Sequence, residues 1–289
     1  MKQLKASLKD KGLFFKLMVF AAIMIVSSGI FLTLFAVVFA DSMQQTATLK
    51  GMQVVQTVAL FLLPCVIAAY LFADDPVEYL SLSKAPSWKS VVAVVFTVIV
   101  FEPAINMIGH FNEQMGLPEA LAPLEQLFKE MEERAQAITE RFMQASSPAV
   151  FVVNLIVIAI LPAFSEELCF RGTLQRMFSE RGSRVVAIWV CAILFSAVHF
   201  QFYGFLPRML MGAFFGYMLV WSGSLWLPVT AHLTKNALVV ILYYVFEQKK
   251  MSTDLLDIFG TGPTLWLGIT SLVLVVPAVW LCRKLSSAS

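Results

Sequence analysis

Two of the chain's three histidines, His199 and His232, stand in strongly apolar stretches that also hold Glu166, Glu167, Arg171 and Asn236. An ionisable side chain at membrane depth costs ~2.5–3.5 kcal/mol, so such groups need partners or a task. Glu166 to Arg171 reads as continuous helix, because neither Gly nor Pro falls between Pro162 and Gly172. Helical residues four apart face each other and residues five apart do not. Glu167 therefore pairs with Arg171, and Glu166 is left unpaired about 100° further round the helix. The plain alternative is a pair of carboxylates at a membrane boundary, neutralised by nearby arginines.

Amide hydrolysis needs a base to activate water, donors for the oxyanion and an acid for the leaving amine. Glu166, the unpaired carboxylate, is the expected base. From Glu166 to the Arg181–Ser183 turn is about 16 residues and from the turn to His199 about 16 more, which in antiparallel helices puts both ~24 Å from the turn. His199 can then hold the water and pass a proton. Phe195, one helical turn before His199, shares its face and can wall the site. His232 and Asn236, four apart, also share a face and offer N–H donors for an oxyanion. Straight helices from the Trp221–Ser224 turn place His232 only ~12–15 Å deep, and a bend at Pro228 or near Pro207 is the expected remedy. Ser165 and Cys169 have no identifiable histidine partner, so no nucleophile is indicated. One Glu and two His are also a catalytic zinc set, which would be Glu166, His199 and His232. Asn236 is a poor zinc ligand but a good donor, which favours a metal-free site with no cofactor.

Elements able to hold these groups must cross a membrane. Apolar residues make up 59% of the 289 residues and charged residues 14%, against roughly 45–50% and about 25% in soluble domains. A net charge of +2 gives no field for nucleic acid. The four cysteines are scattered, without a CxxC pair, and read as small apolar packing. Apolar runs occur at Leu13–Ala40, Val54–Ala73, Trp88–Gly109, Pro148–Phe164, Val185–Phe200, Gly204–Trp221, Leu225–Phe246 and Thr264–Cys282. The expected fold is all-α: a polytopic membrane bundle of about eight transmembrane helices plus one amphipathic extramembrane helix. Alternating sides collect thirteen Lys and Arg with the termini against seven opposite, which puts both termini in the cytoplasm. The connection Phe111–Ser147 then lies outside. Its Leu121, Leu124, Phe128, Met131, Ala135, Ile138 and Phe142 recur every three or four residues, which makes a helix with one apolar stripe. That helix either lies on the membrane interface or serves as a lid or substrate guide.

Glu-Glu-x-x-x-Arg at 166–171, Phe-x-x-x-His at 195–199 and His-x-x-x-Asn at 232–236, in this order, resemble the CAAX-protease and bacteriocin-processing family of intramembrane endopeptidases, relatives of the Ras-converting CAAX endopeptidase. The resemblance covers about Pro148 to Phe246. It implies a bundle of mainly eight membrane helices around a polar cavity, open to the cytoplasm in the characterised CAAX enzymes, with the same roles for Glu166, His199, His232 and Asn236. Glu167 and Arg171 become a supporting ion pair. The family has been described both as metalloprotease and as glutamate-dependent. The chain divides accordingly into an N-terminal three-helix region (1–110), the outer amphipathic helix (111–147), a catalytic core (148–246), and a last loop and helix (247–289). The expected substrate is a membrane-associated protein or peptide, prenylated or not, and the expected location a bacterial inner membrane. A non-catalytic scaffold or self-immunity protein of the same fold, or a proton-coupled transporter, are the competing classes, although transporters usually show internal repeats and none is visible.

Overall fold

The computed structural model describes residues 4–145, 147–180, 182–252 and 258–287. Among these, seven helices are long and apolar enough to cross a membrane. We number them with the two other long helices as α1 (Leu13–Val38), α2 (Thr46–Phe72), α3 (Trp88–Glu113), α4 (Ala122–Met143), α5 (Pro148–Ser179), α6 (Arg184–Ala197), α7 (Phe205–Ser222), α8 (Trp226–Gln248) and α9 (Leu265–Ser286). The all-α polytopic bundle holds, and the chain is an integral membrane protein. The expected eighth span is only α6, a 14-residue helix. At 1.5 Å per residue it rises ~21 Å, short of the ~30 Å hydrocarbon core.

Two helices widen into π turns, at Val58–Leu62 in α2 and Leu155–Ile160 in α5. Each ends two residues before a proline, Pro64 or Pro162. A proline has no N–H for the preceding turn and its ring crowds the carbonyl four residues back, and a wider turn relieves both. A third π segment, Leu168–Gln175, follows Glu167, and Thr173 Oγ1 donates to the Leu168 carbonyl within it at 3.0 Å. More residues per turn mean less rise per residue, so this part of α5 climbs less than an α-helical count assumes.

Loops gather at two ends of the bundle. At one end Lys16 on α1 bonds Glu180 at 3.2 Å, and Leu225 N–H donates to Ser81 O at 2.8 Å. At the other, Asn112 at the end of α3 receives the Leu206 N–H at 2.8 Å, and α4 crosses the loops. Arg141 Nε of α4 donates to Thr46 Oγ1 at 2.8 Å. The expected stripe on α4 is partly covered: Phe142 is buried and Phe128, Met131 and Ala135 are half-buried, whereas Leu121, Leu124 and Ile138 are exposed. The turn residue Arg181 lies outside the described residues.

Candidate active site

Helix α5 carries Glu166 and Glu167 on different faces. Glu167 is fully buried, as is Arg171. Arg171 Nη1 donates to Glu167 Oε1 at 2.8 Å, the i, i+4 pair expected from spacing, while Nη2 donates to Gly212 O on α7 at 2.8 Å. The guanidinium also lies over the Phe195 ring, 4.6 Å from its centroid. A Cβ at Gly212 would stand 3.1 Å from Phe195 Cδ1 and 3.2 Å from Arg171 Nη2. A larger residue there would press on both side chains and on the α6 backbone at Ala192.

Glu167 has a second partner that spacing does not reveal. His232 Nδ1 lies 2.8 Å from the same Oε1, and the His232 ring stacks on Phe215 with centroids 5.1 Å apart. Glu167 therefore joins Arg171 to α8. His232 Nδ1 is committed to that carboxylate, so Nε2 is the only ring nitrogen left for the cavity. On His199, Nδ1 lies 2.7 Å from the Phe195 carbonyl, which as an acceptor fixes the proton on Nδ1. Phe200, at φ 53°, turns the chain out of α6 just beyond it. Asn236 Nδ2 donates to the Ile158 carbonyl at 3.2 Å, which occupies one of its amide hydrogens.

One cavity of about 520 Å³ brings Glu166, Phe195, His199, His232 and Asn236 to a common space. Glu166 is half-buried and has no hydrogen bond or ion pair among the described residues. His232 reaches this cavity although simple counting leaves it shallow. Ser165 is buried and donates to Leu161 O at 2.6 Å, and Cys169 is buried in the core, so neither is presented as a nucleophile.

Both histidines hold the tautomer that a metal-ligating histidine uses, with Nδ1–H given to a carboxylate or carbonyl. Nevertheless, among the described residues no three His, Cys, Asp or Glu side chains stand close enough to share one ion. No three-ligand set is assembled in this arrangement of the described residues, and no step is derived through a metal.

The cavity also contains cations that motif spacing overlooks. Lys235, between the motif residues on α8, lines it and pairs with Glu102 of α3. Arg208, at the start of α7, lines it near His199. Both Glu102 and Lys235 stand inside apolar runs, the signal that singles out Glu166, but their pairing spans 133 residues.

Residues 148–238 match the family model described as type II CAAX prenyl endopeptidase Rce1-like. This interval contains every motif residue, and the resemblance read from the motifs is borne out at the level of the family. The uncharacterized protein YpbD of Bacillus subtilis (strain 168) is 30% identical over 90 residues, which cover 30% of this chain and 43% of that protein. The match thus spans less than half of the relative. No solved structure matches the chain.

Proposed function

We propose that this chain, whose residues 148–238 match the Rce1-like family, is an endopeptidase that hydrolyses a peptide bond of a membrane-associated protein or peptide with water activated by Glu166. The observation that carries this reading is the contrast at one helix turn: Glu167 is saturated by Arg171 and His232, while Glu166 faces the cavity without a partner. Glu166 takes a proton from water as the oxygen attacks the carbonyl carbon. His199, with its proton on Nδ1, presents Nε2 as an acceptor that orients the same water. The negative charge formed on the carbonyl oxygen meets the second amide hydrogen of Asn236. It also meets His232, whose Nδ1 is held by Glu167 and whose Nε2 can donate to it only as imidazolium. The proton on Glu166 passes to the amine nitrogen as the C–N bond breaks.

The test is comparative membrane peptidomics of cells carrying the wild-type chain or Glu166→Gln at equal protein level. Peptides released only by the wild type are expected. Identical peptide sets would favour the scaffold reading.

The charge distribution further supports cytoplasmic termini, with α4 outside. Because α4 lines the cavity, this orientation turns the cavity outward, opposite to the cytoplasm-facing cavity that the family resemblance implies. Cysteine at Gln136, exposed on α4, should react with an impermeant thiol reagent on intact spheroplasts. Reaction only after permeabilisation would reverse the orientation.

A further inference from the structure

Helix α4 is longer and more ordered in its attachments than an interfacial float requires. Its last turns belong to the cavity itself: Ile138, Thr139, Phe142 and Met143 form part of the wall that Glu166 and Asn236 share. This end is pinned. Arg141 bonds Thr46 and the Gln44 carbonyl, Asn154 Nδ2 of α5 donates to Met143 O at 3.2 Å, and Ala145 N–H donates to Glu247 at 2.8 Å. The first half is held differently. Leu121, Leu124 and Leu127 are exposed, and the ties are a stacked Phe128–Phe202 pair, centroids 5.1 Å apart, and one polar chain. In that chain Gln201 Nε2 donates to Glu132 Oε1 at 2.9 Å, and Arg208 Nη2 donates to Gln201 Oε1 at 2.9 Å. The Arg208 guanidinium is seated on Gly204, where a Cβ would lie 2.2 Å from Nη2.

We infer that α4 is a lid over the cavity, hinged at its Arg141–Ala145 end and latched by Glu132–Gln201–Arg208, with Arg208 as the positioning residue that couples the latch to cavity occupancy. Arg208 lines the cavity and holds Gln201 with the same guanidinium. A hydrogen-bond acceptor on an entering chain, such as a peptide carbonyl, competes with Gln201 for that group, and Gln201 is, with the Tyr203 N–H, what holds Glu132. Entry and unlatching are then one exchange of partners. The role as a substrate lid rests on the reading of this cavity as the peptidase site, but the motion does not.

The test needs no turnover. Val239, on α8 and in the cavity wall, is replaced by cysteine in the full chain, and its modification by a water-soluble cationic methanethiosulfonate is timed; all four native cysteines are buried. Gln201→Ala and Glu132→Ala should each speed modification about tenfold, the scale of losing one hydrogen bond to a charged group. The double substitution should add little more, because both break one latch. Lys129→Ala, on the outer face of α4, should change nothing. Spin labels on cysteines at Gln126 and Gln248, both exposed, give an independent reading: Gln201→Ala should add a longer-distance population. Unchanged modification rates together with an unchanged distance distribution would overturn the lid. Peptide release that persists in Glu166→Gln would instead overturn the hydrolytic reading and leave the lid standing.

Discussion

On one side of α5, Glu167 shares a single oxygen with Arg171 and His232, buried against rings from α6 and α7. On the other, Glu166 lines the cavity and has none of these partners. Two carboxylates adjacent in sequence are thus given opposite tasks by what packs beside them. A charge enclosed with its counter-charge is difficult to move and suits holding helices in place. A charge facing a cavity can exchange a proton with what enters. On the proposed function, the Glu-Glu pair is a joint with a structural half and a chemical half.

The structural half should break with the largest effect. Arg171→Met leaves Glu167 buried beside only a histidine, and unpairing a buried ion pair costs about 3–5 kcal/mol. Thermal unfolding in detergent should show a large loss, partly restored when Glu167→Gln is added, since the two sites are coupled. Independent, additive losses would contradict the shared joint. The chemical half should respond in turnover. Asn236→Asp replaces a donor amide with an anion beside the developing oxyanion, and removing one such donor lowers kcat by about 10²–10³. Zinc should not rescue it, and active wild-type protein should hold no stoichiometric zinc. Activity lost on chelation and restored by zinc would replace the glutamate-only mechanism.

The smallest effect lies away from α5, at the latch. Burial raises the Glu132 carboxyl above its ordinary range, while Arg208, the Gln201 amide and the Tyr203 N–H act the other way and Glu113 adds to the rise. A raised carboxyl means that the closed arrangement binds a proton more tightly than the open one. Closure therefore strengthens as pH falls towards the raised value and weakens above it. Access to the Val239→Cys reporter, corrected for reagent chemistry on free thiol, should slow modestly on acidification. Glu132→Gln should remove that dependence.

Much of this was legible in the residues because the membrane makes polar groups conspicuous. Glu166, His199, His232 and Asn236 stand out against apolar surroundings, and the Glu167–Arg171 pair follows from helical spacing alone. Contacts between helices do not follow from spacing: His232 meets Glu167 across 65 residues, and Lys235 meets Glu102 across 133. Prolines at 64 and 162 offer a local reason for two π turns, but nothing comparable announces the one at Leu168–Gln175. The stripe on α4 was readable as an apolar face, whereas the surface it covers depends on loops brought together only by the fold.

The central claim is tested most directly by measuring Glu166→Gln and Glu167→Gln side by side, for cleavage of a peptide identified by the membrane comparison and for thermal unfolding in the same detergent. Glu166→Gln should lose about 10²–10⁴ in turnover, the scale of general acid–base catalysis, with its unfolding temperature unchanged. Glu167→Gln should lower the unfolding temperature. Equal losses of turnover at unchanged stability in both proteins would contradict the division of labour between the two glutamates.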